Sequence, residues 1–340
     1  MEVVDAFNSD IFSLTSLVHS INHQDHIPNR LGELGLFTME PISTTSVVIE
    51  EEYGTLTLVP VAPRGGVKEP VSRDRRKARS FVVPHIPEST QVMADEVQNV
   101  RAFAQGDMAS AERMAVEQVR DKKLQKALTQ LEITIEYHRM GAIKGQILDA
   151  DGVTTLLDLF TEFGVTQNTL GFNLDDTTTK IVTAIRQAQR LSQAALGNAP
   201  VMGWLAVCGD EFFDELVSHP KLEQFYLNQQ AAQQLANGVS AYSRFVFGNV
   251  AWENYRGSVG GVDFITTSKA YLIPMGVPGL FLDYRAPADY METVNTLGLP
   301  FYAKAELKKM NKGIDIEAQT NPLLLCTKPA AIVELDETAS

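Results

Sequence analysis

The longest regular hydrophobic pattern of the chain lies between residues 108 and 138. Apolar residues recur there at helical spacing and share one face: Leu124, Leu128, Leu131 and Ile135. This stripe predicts one helix of about 45 Å at 1.5 Å per residue. Asp107 is a candidate N-cap, and Gly141 and Gly145 are expected to end the helix.

Strand-like segments come before this helix. Residues 44–63 are rich in β-branched and apolar residues on both sides of Gly54, which favours two strands around a turn. Residues 80–87, "SFVVPHIP", are strand-like again but contain two prolines. Residues 45–87 are therefore predicted to form a long hairpin with a basic tip marked by glycine and proline. A hairpin of this length is marginally stable alone, so it needs a partner surface.

After the long helix, the pattern alternates between helices and strands. Residues 143–160 predict a hairpin with an Asp-Gly turn, and residues 244–257 predict a strand pair that turns at Gly248-Asn249. Further helices are predicted in the segments "DDTTTKIVTAIRQAQRLSQAAL", "DEFFDELVSHP" and "KLEQFYLNQQAAQQLANG". Further strands are predicted in "GWLAVCG", "KAYLIPMG" and a tail with period-two apolar residues at Ile314, Ile316 and Ala318, followed by an apolar run at 323–326. The mixture indicates an α+β protein.

Composition narrows the function. The 340 residues are 44% hydrophobic, which is enough for a sizeable core, and no apolar run approaches the ~18 residues that span a bilayer. The net charge of -13 disfavours a dedicated nucleic-acid-binding protein. Cys208 and Cys326 lie in apolar segments, so we expect two buried, unpaired thiols in a reducing compartment.

One stretch runs against the overall acidity. Residues 63–80 contain two acidic and seven cationic residues, the latter being Arg64, Lys68, Arg73, Arg75, Arg76, Lys77 and Arg79. This stretch could bind DNA, could be a solvated loop, or could dock on an acidic surface of another copy. The chain has 42 acidic residues against 29 basic ones, so each copy can supply both surfaces, and arginine pairs carboxylates bidentately. We favour docking on another copy.

The sequence gives little support for a catalytic or metal-binding site. The histidines of the first segment, His19, His23 and His26, could bind zinc, but Pro28 would end a helix there. Asp210, Glu211, Asp214 and Glu215 could hold Mg²⁺, but acids in a first turn are what the helix dipole favours, and Asp210 is a natural cap. His138 is expected in the core or near the helix end. We predict no catalytic residue, metal or cofactor.

The order of elements resembles a known family. The segments "RLGELGLF", "STTSVVIEEEYGTLTLVPVAPRGG", "RSFVVPHIP", "EYHRMGAIKGQILDADG", "YLIPMGVPGLFLDYRAPAD" and "AQTNPLLLCTKPAAIVEL" are together similar to the tailed-phage major capsid proteins of the lambda capsid protein E type. The resemblance extends from about Arg30 to Leu335 and implies the Hong Kong 97-type capsid fold.

The resemblance also implies a division of the chain. Residues 1–45 would be an N-arm and residues 46–95 an extended loop over the adjacent subunit. Residues 96–160 and 301–340 would form a peripheral domain with the long spine helix, whose stripe packs on its sheet. Residues 161–300 would form the axial domain at the centre of a capsomer.

The implied function is a non-enzymatic shell subunit of the virion, assembled in the host cytoplasm as hexamers and pentamers. Its expected partners are itself, a separate scaffolding protein, portal and decoration proteins, and double-stranded DNA bound without sequence specificity, with no membrane. Two rivals remain: a cellular nanocompartment (encapsulin-like) shell protein, and a metal-dependent hydrolase that uses Asp210, Glu211 and the histidine segment.

Overall fold

The computed structural model describes residues 30–53, 75–98, 108–197, 199–223, 244–259 and 261–338. The α-helices in these ranges are α1 (Arg30–Glu33), α2 (Ala94–Gln98), α3 (Met108–Lys144), α4 (Leu159–Phe163), α5 (Ile181–Leu196) and α6 (Asp210–Ser218). None of them is long and apolar enough to cross a membrane.

The strands of the first half are β1 (Thr38–Pro41), β2 (Ser46–Tyr53), β3 (Arg75–Val82), β4 (Ile86–Met93), β5 (Gln146–Leu148), β6 (Thr155–Asp158) and β7 (Asn168–Gly171). Those of the second half are β8 (Gly203–Cys208), β9 (Arg244–Phe247), β10 (Val250–Asn254), β11 (Ser258–Val259), β12 (Val262–Asp263), β13 (Lys269–Met275), β14 (Phe281–Arg285), β15 (Tyr302–Leu307), β16 (Gly313–Thr320), β17 (Pro322–Cys326) and β18 (Val333–Asp336).

The largest sheet is mixed and six-stranded, in the order β7-β18-β13-β8-β10-β9. Helices α5 and α6 pack on it, and its core contains the aromatic group Phe172, Phe212 and Trp252, with ring centroids 5.8 to 6.3 Å apart. Strands β9 and β10 form the predicted hairpin. Gly248 and Asn249 both have positive φ, the conformation that a two-residue type I′ turn requires.

The long helix α3 packs on a three-stranded antiparallel sheet in the order β15-β16-β4. The period-two apolar residues of β16 face this helix. A third sheet has the order β1-β14-β17, and the remaining pairs are β2-β3, β5-β6 and β11-β12.

The helix α3 continues to Lys144, beyond the predicted end at Gly141. A Cβ atom at Gly141 would lie 2.9 Å from the carbonyl oxygen of Gln146, so glycine is needed there for the close approach of β5 rather than for a helix stop. The helix ends at Gly145, whose φ is +86°. The candidate N-cap Asp107 lies outside the described residues.

Strand β2 pairs with residues 75–82, which agrees with the long hairpin predicted for residues 45–87. The turn predicted at Gly54 falls in residues 54–74, outside the described part of the chain. One further prediction needs correction. Strand β18, which we expected in the peripheral domain, pairs with β13 and β7 in the six-stranded sheet. The end of the chain therefore returns to the six-stranded sheet, while β15 and β16 form one sheet with β4 beside the long helix.

Candidate intersubunit surfaces

The base of the extended hairpin has two different faces. Strands β2 and β3 are antiparallel, and Val47 lies opposite Phe81. Both of these side chains are buried against the subunit's own core, while Val48 and Val82 on the other face are exposed. A two-stranded sheet buried on only one side leaves apolar surface for another molecule.

Arg79 anchors this base to its own subunit. Its guanidinium donates hydrogen bonds to the carbonyl oxygens of Glu162 and Phe163 at the end of α4, and it lies 4.9 Å from the centroid of the Phe163 ring. Only 7% of Arg79 is exposed. The last carbonyls of a helix have no partner within the helix and favour a cation. These contacts favour a role for Arg79 inside its own subunit over the intersubunit role that we predicted.

The other basic residues of this stretch fall into two groups. Arg64, Lys68 and Arg73 lie outside the described residues. Arg75, Arg76 and Lys77 lie in β3, and the register places Arg76 across from Glu52 and Lys77 across from Glu51. The register thus aligns an acidic part of the sequence with part of the basic stretch, an alignment that we did not foresee.

The stripe on the long helix lies in the core. Leu124, Leu128, Leu131 and Ile135 are each at most 2% exposed and pack with residues of β4 and β16, including Val92, Ile314 and Ile316. The opposite side of the helix is exposed at Gln118, Lys122, Lys126, Gln130 and Ile133. His138 is buried on this helix, and burial lowers its pKa.

Three distant segments meet at Glu136 in the middle of the molecule. Its Oε1 atom accepts hydrogen bonds from the backbone N–H of Leu31, at 2.7 Å, and from the hydroxyl of Tyr255, at 3.2 Å. Burial raises the pKa of Glu136, although these donors oppose the change. Helix α1 is therefore held between the long helix and the six-stranded sheet.

A second contact strengthens the same junction. The guanidinium of Arg30 pairs with the carboxylate of Glu253, with Nη2 2.6 Å from Oε2, and this hydrogen bond raises the pKa of Arg30. Glu253 is almost fully buried. Sequence analysis missed this pair because 223 residues separate its members and no local pattern relates them.

Another buried pair lies on β14. Asp283 and Arg285 share the buried face of the strand, and Arg285 Nη2 lies 2.7 Å from Asp283 Oδ2. Arg285 also donates to the hydroxyl of Thr320, at 3.0 Å. Each side chain of the pair is 3% exposed. The alternation of "FLDYR" is a signal that could have found this pair, since residues two apart in a strand face the same side.

The acidic group at the start of α6 has structural partners. Asp210 Oδ1 lies 2.8 Å from the amide nitrogen of Asn254 and 2.9 Å from Nε of Arg256, and these contacts lower the pKa of Asp210. Gly209, not Asp210, is the N-cap, which corrects our expectation. The described ranges contain no group of three or more His, Cys, Asp or Glu residues that could hold a metal. His19, His23 and His26 lie outside those ranges.

Both cysteines are free and buried, Cys208 in β8 and Cys326 in β17, and burial raises the pKa of each thiol. We expect the native subunit to react with a thiol reagent at neither site and the denatured subunit to react at both. Counting modified cysteines by mass spectrometry before and after denaturation checks this. A denatured, unreduced subunit without free thiols would contradict it.

The comparisons with known proteins agree with this arrangement. Residues 13–336 match the family described as "Phage major capsid protein E". The chain is 29% identical to the major capsid protein of Pseudomonas phage KPP10, covering 91% of this chain and 93% of the relative. It is also 29% identical to the major capsid protein of Salmonella phage Felix O1 (isolate Felix O1-VT1), covering 91% of this chain and 92% of the relative.

A solved structure supports the fold. A crystal structure assigned to a prophage capsid protein of E. coli CFT073 superposes with a TM-score of 0.59 at 13% identity, covering 95% of this chain and 98% of that chain. The predicted Hong Kong 97-type capsid fold is confirmed. With a family match over nearly its whole length, this chain belongs to the phage major capsid protein E family.

Proposed function

We propose that this chain is the shell subunit of a phage head. Many copies form hexamers and pentamers that close into an icosahedral shell around double-stranded DNA, and the subunit is not an enzyme. The observation that carries this proposal is the one-sided hairpin base, which leaves Val48 and Val82 exposed. Membership of the capsid family and the one-sided hairpin point to the same role, because a shell supplies the missing surface from a neighbouring copy.

In this proposal the hairpin that begins with β2 and returns through β3 lies over an adjacent subunit, while β4, which we had included in the extended loop of residues 46–95, stays in the subunit's own sheet. The hairpin base keeps a fixed position through Arg79 and α4, so the tip is the part that reaches the neighbour. The basic residues that we propose for the intersubunit contact are Arg64, Lys68 and Arg73, with Arg75, Arg76 and Lys77 next to them in the sequence. A single exposed ion pair contributes about 0–1 kcal/mol, so the contact depends on repetition around the shell.

The remaining partners follow from the same role. The subunit would assemble in the host cytoplasm on a scaffolding protein, join a portal and a decoration protein, and end in the virion. The packaged DNA would not be bound at specific sequences. An acidic inner wall of the shell would repel the DNA phosphates across a gap that salt screens, so the DNA could move without sticking. This proposal assigns no catalytic residue to the subunit and no cofactor.

Charge reversal at the tip tests the intersubunit contact. We expect a variant with Arg64→Glu, Lys68→Glu and Arg73→Glu to fold normally, with an unchanged circular dichroism spectrum, but to form few or no shells. The control reverses Lys122, Lys126 and Lys180, which are exposed elsewhere, and changes the net charge equally. Electron microscopy and sedimentation measure shell formation.

Each outcome has a clear meaning. Loss of shells in the tip variant alone supports the contact. Normal shells that package or retain little DNA would contradict it and favour the nucleic-acid interpretation of the basic stretch. Wild-type particles that hold a protein cargo instead of DNA would favour the nanocompartment, and a wild-type chain that remains a monomer or dimer with scaffold present would contradict the proposed function itself.

A further inference from the structure

A short loop between β14 and β15 exposes an unusual amount of apolar surface. Four of the nine residues 291–299 have large apolar side chains open to solvent: Met291 at 87%, Val294 at 58%, Leu297 at 63% and Leu299 at 43% exposure. We call residues 291–299 the apolar loop. Single exposed apolar residues are common on proteins, but a contiguous group of them marks an interaction site.

The backbone of the apolar loop is firmly held. The Thr293 hydroxyl donates to the Ala288 carbonyl oxygen, and the Thr296 hydroxyl donates to the Thr293 carbonyl oxygen, each at 2.7 Å. Leu299 N–H donates to the Tyr302 hydroxyl at 2.8 Å. These three hydrogen bonds lie within the subunit, and the four large apolar side chains of the loop are left exposed to solvent.

Gly298 fixes the loop to the sheet below it. Its N–H donates to the Ile42 carbonyl oxygen at 2.9 Å, next to the end of β1. A Cβ atom at this position would lie 2.0 Å from the carbonyl oxygen of Arg285, so only glycine allows this approach. The sequence thus uses a glycine, two threonine hydroxyls and a tyrosine hydroxyl to present the apolar loop in one conformation.

The apolar loop is also electrically neutral in an acidic protein. Its single charged residue, Glu292, lies 2.8 and 3.0 Å from Nζ of Lys304 in the same subunit. Lys304 in turn lies over the ring of Tyr290. The negative charge of Glu292 is therefore neutralised within the free subunit by Lys304.

We propose that the apolar loop is a contact surface for a second copy of this chain in the shell. Two copies that each carry a net charge of -13 repel one another, and a neutral apolar surface is where they can approach at the smallest electrostatic cost. A strongly basic or acidic partner would need opposite, unpaired charges on the surface of this loop, and the loop has none because Glu292 is already paired with Lys304. This inference rests on the proposed function, because it concerns copies within one shell.

Thiol labelling tests where the apolar loop lies. Leu297→Cys introduces an accessible thiol, while the native Cys208 and Cys326 are fully buried. The measurement is the rate of iodoacetamide reaction at this site in dissociated subunits and in shells that contain this chain alone. We expect the rate to be at least tenfold lower in shells. Equal rates would overturn the inference, and so would protection that appears only after a second protein is added.

A thiol could also react slowly because it faces the closed interior of the shell and not because it lies in a contact. An assembly measurement distinguishes these two cases. The variant Met291→Gln, Val294→Thr, Leu297→Gln should keep the thermal midpoint of the free subunit but raise the protein concentration needed for half-maximal shell formation by at least tenfold. The control, Met202→Gln with Val153→Thr, alters side chains that are equally exposed elsewhere, and it should assemble like the wild type.

The outcomes separate this inference from the proposed function. If the wild type forms shells and the loop variant assembles equally well, the contact is wrong and the shell function stands. Equal losses in the loop variant and the control would also overturn the assignment to this loop. If the wild type forms no shells, the proposed function fails and this inference fails with it.

Discussion

Replacement of Leu128 by alanine is expected to lower the free energy of unfolding of the subunit by about 2–5 kcal/mol. Leu128 is 1% exposed at the centre of the contact between the long helix and the sheet of β4, β15 and β16. The change removes buried methyl groups and leaves a cavity that a helix packed on a sheet cannot easily close. Chemical denaturation of dissociated subunits, with the midpoint and the slope both measured, gives the value.

The same helix supplies the control. Ile133 lies on its exposed side, so Ile133→Ala should change the free energy of unfolding by at most about 0.5 kcal/mol. Equal effects at Leu128 and Ile133 would show that the apolar stripe of the long helix does not stabilise its packing on the sheet. Leu128→Asp should prevent folding, because it buries a carboxylate without a partner.

The second large effect is expected at the buried pair of β14. Asp283→Leu should lower the free energy of unfolding by about 3–5 kcal/mol, because it leaves the Arg285 guanidinium buried without its carboxylate. The double variant Asp283→Leu, Arg285→Met should recover most of this loss, since an apolar pair needs no solvation. Thr320 remains satisfied in the double variant because its hydroxyl also donates to the Pro300 carbonyl oxygen, at 2.8 Å.

Denaturation of the two single variants and the double variant gives the coupling between these residues. Glu292→Gln is the matched control, since it disrupts an ion pair that is open to solvent, and it should leave the denaturation midpoint within error. A double variant that is as unstable as Asp283→Leu would contradict this account. It would mean that the loss comes from removing the ion pair itself and not from leaving the Arg285 guanidinium buried without a partner.

Local patterns predicted the elements with one clear period. The long helix, the turn at Gly248-Asn249 and the alternation of β16 each depend on neighbours within a few residues, so the sequence contains their signal. The place of β18 depends on pairing with residues about 65 and 165 positions away, and no local period encodes such a choice.

The candidate surfaces were predicted less well than the elements. Arg79 was grouped with the tip because it belongs to a run of basic residues. It also shares a strand face with Phe81, which lies opposite the buried Val47, and that alternation was the better guide. The junction at Glu136 and the apolar loop depend on tertiary contacts, and only the folded chain brings their parts together.

The anchor of the hairpin has a consequence for sequence variation among relatives. Arg79 binds the backbone carbonyls of residues 162 and 163, and every amino acid offers such an oxygen. Position 162 can therefore drift freely without loosening the hairpin. Position 79 cannot, since lysine lacks the planar fork that reaches two adjacent carbonyls. Substitutions along this contact should accumulate on one side only, with arginine retained opposite a changing residue.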